Sequence, residues 1–149
     1  MQFINPQKKM INQNRRTKSI SKILSPNDIG LTGGHQAGIL VPKREEILSF
    51  FHKLDPNQKN PRFLLTFFDD NNLPWEFSFI FYNNKFFGGT RNEYRLTRMT
   101  KFMKSNNLKV GDELILRNED INSIVSFKKA SQQTQGKLKL STDWKIINF

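Results

Sequence analysis

Four residues near the middle of the chain combine side chains suited to reading the edges of nucleic-acid bases. They are Arg91, Asn92, Glu93 and Arg95, which bring three chemical types into five positions. Arginine can bond guanine O6 and N7 together, asparagine can bond adenine, and glutamate can accept from cytosine N4. If the segment is extended, Glu93 and Arg95 point to the same side. A surface ion pair between Glu93 and either arginine explains the same residues without any ligand, and composition favours neither interpretation.

A second candidate is the loop formed by residues 22–38, where four glycines fall within thirteen residues. Glycine lets backbone N–H groups approach a phosphate closely. The loop is neither a phosphate-binding loop nor a dinucleotide fingerprint, because no Lys-Ser or Lys-Thr follows Gly33-Gly34 and the glycine spacing differs. A long surface loop without a ligand explains it equally well. Its polar side chains are Lys22, Ser25, Asn27, Asp28, Thr32, His35 and Gln36.

The acidic residues do not form the pattern of a metal-dependent nuclease, in which an acid is followed a short strand later by an acid-x-Lys trio. Asp69 or Asp70 with Glu76 has the nearest spacing, but no lysine lies two residues after Glu76. We therefore expect a hairpin turn at residues 69–72, and we predict no catalytic residue and no metal site in this chain. His52 follows two phenylalanines on a predicted helix, where a structural role is expected.

Composition narrows the possible partners. The chain has 149 residues, no cysteine and a formal net charge of +11, which fits one domain and excludes disulfides, thiolate zinc sites and thiol nucleophiles. Residues 1–22 carry six basic residues and no acid, residues 85–101 carry five basic residues and one acid, and the other 110 residues sum to +1. Such basic blocks indicate contact surfaces for an anionic partner, and nucleic acid is the partner that a pI near 10.1 favours. Anionic membranes and acidic proteins also attract basic surfaces. No apolar stretch has spanning length and no secretory signal is present, so we expect a soluble cytoplasmic protein without a membrane partner.

The sequence pattern predicts many short strands and two short helices, and these elements must position the two loops. Helical spacing of apolar residues predicts one helix beginning at Pro42 and continuing through Leu54, and a second over residues 97–106. The pattern predicts a mainly β (α+β) fold, a β-barrel with flanking helices in residues 18–149, preceded by a basic flexible arm at residues 1–17. The expected strands are residues 19–24, 38–41, 62–68, 75–82, 113–117, 124–128, 137–140 and 145–147.

The two loops together resemble a known family. The segment ILSPNDIGLTGGHQAGILVP (residues 23–42) resembles the first DNA-binding loop of the EcoRII-type restriction endonuclease recognition domain, and FYNNKFFGGTRNEYRLTR (residues 81–98) resembles the second. The segment LKVGDELIL (residues 108–116) is similar to a strand entry in plant B-three transcription-factor domains, which share that fold. The resemblance covers residues 22–116, about two thirds of the chain, and the two motifs in this order make it specific.

The resemblance implies a seven-stranded open β-pseudobarrel with two short flanking helices, whose two loops grip the major groove of double-stranded DNA. We call residues 22–38 the N-arm and residues 85–98 the C-arm. The implied N-arm contacts are Lys22, Ser25, Asn27, Asp28, Thr32, His35 and Gln36. The implied C-arm contacts are Lys85, Thr90, Arg91, Asn92, Glu93, Arg95 and Arg98, with Lys101 just beyond.

The function implied is sequence-specific recognition of double-stranded DNA, as the target-recognition or effector domain of a type II restriction endonuclease. We predict base-edge contacts from Arg91, Glu93 and Arg95, and phosphate contacts chiefly from the lysines and Arg98. DNA binding needs no cofactor in this interpretation; a separate nuclease domain or subunit would cut DNA with magnesium, and the recognition domain itself would be monomeric. The alternatives are a general nucleic-acid-binding protein without sequence specificity, in which exposed aromatics stack on bases, and a complete small nuclease.

Overall fold

The fold was determined as a computed structural model, which describes residues 18–30, 38–130 and 143–148. Residues 1–17 and the expected strand at 137–140 lie outside this part of the chain. None of the helices within it is long and apolar enough to cross a membrane. The elements, in chain order, are β1 Ser19–Ile23, β2 Ile39–Val41, α1 Glu45–Leu48, β3 Arg62–Phe68, β4 Pro74–Tyr82, a 3-10 helix Asn84–Phe87, β5 Glu93–Thr97, α2 Thr100–Ser105, β6 Glu113–Asn118, β7 Ser123–Lys128 and β8 Trp144–Ile146.

The eight strands of the described residues form one curled sheet in the order β2-β5-β4-β3-β7-β6-β1-β8. All neighbouring strands are antiparallel except β3 and β7, which run parallel. Side chains bridge the gap between the two edge strands, because the Trp144 indole N–H donates to the Leu40 carbonyl at 2.9 Å and Arg44 donates to the Trp144 carbonyl at 2.8 Å. The predicted open pseudobarrel with two short helices is confirmed, with eight strands in place of seven.

Phenylalanines fill the barrel. Phe77 and Phe79 alternate along β4 and point inward, as the period of two in this strand predicts. Phe51 stacks on Phe79 with ring centroids 4.3 Å apart. Phe50 and Phe102 are also buried, so the aromatic residues of this chain serve mainly as core.

The first helix is shorter than its apolar spacing predicts. α1 covers only Glu45–Leu48, and the prediction that it begins at Pro42 and continues to Leu54 is wrong. After Leu48 the backbone follows tighter turns than an α-helix, because the N–H groups of Phe50 and Phe51 donate to carbonyls three residues back instead of four. Both adjacent rings can then enter the core, whereas neighbouring positions of a continued helix would face apart.

The second helix also begins later than expected. Thr97 still belongs to β5, and α2 starts at Thr100. Arg98 lies between the two elements and has a left-handed backbone conformation (φ 65°). Neither a strand nor a right-handed helix can continue through this conformation. The expected apolar side of this helix is confirmed, because Met99, Phe102 and Met103 are all buried.

Candidate nucleic-acid interface

The two arms leave opposite ends of one pair of strands. β2 and β5 are antiparallel, with Ile39 opposite Leu96 and Val41 opposite Tyr94. The N-arm therefore enters β2 beside the end of β5, whereas residues 85–92, the loop part of the C-arm, lead into the start of β5, where Glu93 lies opposite Tyr82 of β4. The outward face of β5, which is the strand part of the C-arm, thus extends from this loop to the exit of the N-arm, a span of about 16 Å at roughly 3.3 Å per residue.

Close backbone approach fixes the exit of the N-arm. Gly38 has a left-handed backbone (φ 91°), and a Cβ at this position would lie 2.2 Å from the Leu96 carbonyl oxygen and 2.8 Å from Thr97 Cα. Only glycine combines this backbone conformation with this proximity. Gly38 therefore allows the end of the N-arm to lie directly against β5.

Alternation along β5 divides its side chains between the core and the outer surface. Leu96 is fully buried, and Tyr94 stacks on Phe81 with centroids 4.3 Å apart, so both face inward. Glu93 and Arg95 consequently face outward, and they lie on the same side of the strand, as predicted for an extended segment.

The outward face carries an acid held between two arginines. Arg91 Nη2 and Arg95 Nε each donate to the same oxygen, Glu93 Oε2, at 2.7 Å. Burial of Glu93 opposes its ionisation, but the hydrogen bonds and charges of the two arginines prevail and lower the pKa of Glu93 below its ordinary value. Glu93 is thus an anion at neutral pH. The ion-pair alternative that the sequence left open is realised with both arginines, which fixes the three side chains relative to one another.

The base of the C-arm is held by two asparagines. Asn84 Oδ1 accepts the Arg91 backbone N–H at 2.7 Å, and the Asn84 carbonyl accepts Gly89 N–H at 2.6 Å. The fully buried Asn83 donates to the carbonyls of Pro56 and Gln58 at 3.2 and 2.8 Å. These bonds join the C-arm to the turn before β3, so the arm is anchored to the barrel at its base.

Within the N-arm, the described polar residues hold the loop to itself. Lys22 is buried and its Nζ donates to Asp28 Oδ2 at 2.5 Å. The same oxygen accepts Ser25 N–H at 2.9 Å. Lys22, Ser25 and Asp28 therefore form an internal brace, and their roles as DNA contacts stay predictions. Asn27 is exposed beside them, and Thr32, His35 and Gln36 lie outside the described residues.

The remaining predicted contacts lie in the C-arm, directly after β5 and in α2. Lys85 and Thr90 are exposed in the C-arm, while Asn92 Oδ1 accepts Lys43 Nζ at 2.6 Å. Arg98 is exposed directly after β5, and Lys101 is exposed in the first turn of α2. The structure thus groups Arg91, Glu93 and Arg95, joins Asn92 to Lys43, and separates Arg98 and Lys101 from the Glu93 cluster.

Two residues at this surface were missed from the sequence. Lys43 reaches Asn92 because β2 pairs with β5, a long-range pairing that periodicity does not reveal. Tyr82 lies under Arg91, with the guanidinium carbon 3.8 Å from the ring centroid. The sequence did contain a signal for Tyr82, since an aromatic residue ends β4 directly before the Asn83-Asn84 turn that leads to the C-arm.

Asp69, one of the acids with the spacing nearest to a nuclease site, has structural partners. Asp69 accepts the backbone N–H groups of Asn71 and Leu73, and its other oxygen accepts the Trp75 indole N–H at 2.9 Å. The Trp75 hydrogen bond is the main cause of the lowered pKa of Asp69, and the expected hairpin turn is present. His52 stacks on Phe63 at 3.8 Å. In residues 18–30, 38–130 and 143–148, no group of three or more histidine, aspartate or glutamate side chains could hold a metal ion.

Comparison with known proteins decides the family. Residues 13–128 match the family described as restriction endonuclease EcoRII, N-terminal. The chain belongs to this family. Both arms and all the predicted contact residues fall within the matched segment of this EcoRII N-terminal domain, and the match extends twelve residues beyond the resemblance seen at residues 108–116.

One relative and one solved structure are similar to this EcoRII N-terminal domain. The type II restriction enzyme EcoRII of Escherichia coli is 36% identical over 102 residues, which cover 64% of this chain and 24% of that enzyme. The chain thus spans about a quarter of that relative's length. The structure titled Arabidopsis FUS3-DNA complex superimposes with a TM-score of 0.57 at 18% identity, covering 74% of this chain and 95% of that one. This second likeness shows a shared fold.

Proposed function

We propose that this domain binds double-stranded DNA at a specific short sequence, with the N-arm and C-arm gripping the major groove. The observation that carries the proposal is Glu93, which faces outward at the start of β5 in the C-arm and is held between Arg91 and Arg95. A surface built only to bind phosphates gains nothing from a carboxylate, because phosphate and carboxylate repel. A carboxylate beside guanidinium groups can instead accept from a base amino group while the arginines donate to neighbouring bases.

Dimensions support this assignment. The outward face of β5 extends about 16 Å from the loop part of the C-arm, residues 85–92, to the exit of the N-arm, at roughly 3.3 Å per residue. The major groove of B-DNA is about 12 Å wide, so the arms can lie on either side of it while the side chains of β5 face the bases. Lys85 precedes β5, Arg98 directly follows it and Lys101 lies in α2, and all three side chains are exposed. In this proposal they contact the phosphates of the groove walls.

We propose further that the domain serves as the target-recognition or effector part of a type II restriction endonuclease. Support comes from membership of the EcoRII N-terminal family and from a matched segment that makes up about a quarter of the E. coli enzyme. In this proposal a separate nuclease domain or subunit cuts DNA with magnesium, and the recognition domain is a monomer that binds DNA without a cofactor.

Competition binding tests the proposal against its alternatives. The binding site is first obtained by selecting bound duplexes from a random pool, and a duplex that carries it is called the selected duplex. Labelled selected duplex is then displaced by unlabelled selected duplex, by random duplex or by single strands of equal length. We expect at least about 1,000-fold preference for the selected duplex over random duplex, the lower end for specific recognition proteins. Equal displacement by all three would indicate a general nucleic-acid binder. Cleavage of plasmid by this chain with magnesium alone would indicate a complete small nuclease.

A further inference from the structure

Arg91 is held both at its guanidinium group and at its backbone. Its guanidinium lies 3.8 Å from the centroid of the Tyr82 ring and donates to Glu93 Oε2 at 2.7 Å. Its backbone is held as well, because its N–H donates to Asn84 Oδ1 at 2.7 Å and its carbonyl accepts Lys85 N–H at 2.9 Å. The side chain is therefore held on its face and on its edge, and the backbone that carries it cannot shift freely.

The register of the sheet explains why Tyr82 is in this place. Tyr82 is directly opposite Glu93 in the β4–β5 pair, so its ring lies beside the carboxylate that Arg91 binds. Directly opposed residues on one face of an antiparallel pair have Cβ atoms about 5 Å apart, within reach of an aromatic ring. The ring and the carboxylate thus form two sides of one slot for the guanidinium plane.

We infer that Tyr82 is a positioning residue for sequence recognition, whose ring holds the Arg91 guanidinium in the plane that reads a base pair. This inference rests on the proposed function. A free arginine must lose its rotamer freedom on binding, whereas one already held in its bound geometry loses little. Phosphate contacts tolerate a moving guanidinium, but a bidentate contact to guanine does not. Loss of the ring therefore lowers discrimination between sequences more than it lowers affinity for DNA in general.

The test compares Tyr82→Leu with Tyr82→Phe by measuring Kd for the selected duplex and for a random duplex. Tyr82→Leu removes the ring, and we expect the ratio of the two Kd values to fall about 2- to 10-fold, as for the loss of a partly exposed cation–π contact. Tyr82→Phe keeps the ring, so the ratio of the two Kd values should stay at its wild-type value. His52→Leu is the matched control, since it removes one ring of the exposed His52–Phe63 stack, beside a hollow lined by β3 and the β6–β7 hairpin.

Each outcome separates this inference from the proposed function. If the wild-type protein does not distinguish the duplexes, the proposed function fails. If it does, and Tyr82→Leu keeps the full ratio, the inference about Tyr82 is wrong. A ratio lowered equally by Tyr82→Phe would also overturn it, because the ring would then not be the cause.

A second measurement does not depend on the variants folding. Nuclear magnetic resonance of the arginine Nε–Hε groups reports side-chain order in the free wild-type protein. We expect high order parameters for Arg91 and for Arg95, which also donates to Glu93, and low ones for the exposed Arg98. Order at Arg91 no higher than at Arg98 would contradict a side chain held in advance.

Discussion

Replacement of Glu93 by alanine separates affinity for DNA from recognition of its sequence. The carboxylate makes two hydrogen bonds of 2.7 Å to arginines. In the complex, we expect it to accept from a base amino group, a contact that contributes about 1–3 kcal/mol of discrimination. The Kd ratio between random and selected duplex should therefore fall about 5- to 150-fold in Glu93→Ala. Affinity for random duplex should hold or rise, because one negative charge leaves a cationic surface.

The exposure of the two Glu93 ion pairs limits how much stability Glu93→Ala can lose. The side chains of Arg91 and Glu93 are 34% and 30% exposed, and that of Arg95 is 15% exposed. Partly exposed pairs contribute up to about 1 kcal/mol each, so Glu93→Ala should lower the free energy of unfolding by no more than about 2 kcal/mol. The protein remains folded for the binding measurement, and thermal unfolding verifies this.

Glu119→Ala is the control for this experiment. Glu119 accepts from Arg117 at 2.6 Å on the other side of the barrel, and its loss should change stability slightly and the Kd ratio not at all. Fluorescence anisotropy with both duplexes at two salt concentrations gives the ratio and its salt dependence. An equal loss of affinity for selected and random duplex in Glu93→Ala would refute the base-reading role of the carboxylate.

Three further predictions concern the barrel and its charges. Gly38→Ala should cost at least about 2 kcal/mol in thermal unfolding and more than Gly30→Ala, which has a positive φ but open space around it; equal losses would contradict the close approach to β5. Burial would raise the pKa of Asp112, but hydrogen bonds from Lys129 and two backbone N–H groups lower it, so its stabilising effect is complete above the unfolded pKa of about 3.9 and is lost at lower pH. The difference in unfolding free energy between wild type and Asp112→Asn, about 2–3 kcal/mol at pH 7, should therefore shrink below about pH 4, and a constant difference would show that ionisation of Asp112 is not its cause. Lys101→Ala should weaken selected and random duplex alike and reduce the salt slope by about 0.9 in a titration; a change in their ratio would assign Lys101 to a base.

The parts of the fold that the sequence predicted well are those set by local pattern. β3 and β4 have the expected bounds to within one residue, because apolar residues predominate in both strands and a polar turn separates them. Pairing between distant strands is different. The parallel contact of β3 with β7 and the pairing of β2 with β5 depend on how the whole sheet curls, and no local pattern carries that information.

The candidate site was only partly predictable for the same reason. The types and alternation of Glu93 and Arg95 indicated an outward-facing recognition segment. The sequence could not show that one carboxylate oxygen binds both Arg91 and Arg95. It also could not show that Lys22 is buried against Asp28, because composition makes every lysine of a basic loop a candidate for phosphate.

Selection of bound duplexes from a random pool tests sequence-specific recognition most directly. The protein is incubated with the pool at physiological salt, and the bound molecules are recovered, amplified and sequenced over several rounds. We predict convergence on one short site, and the loss of a single base preference when the selection is repeated with Glu93→Ala. A bound pool that keeps the base composition of the input, in spite of salt-sensitive binding, would contradict sequence recognition and leave only a general affinity for nucleic acid.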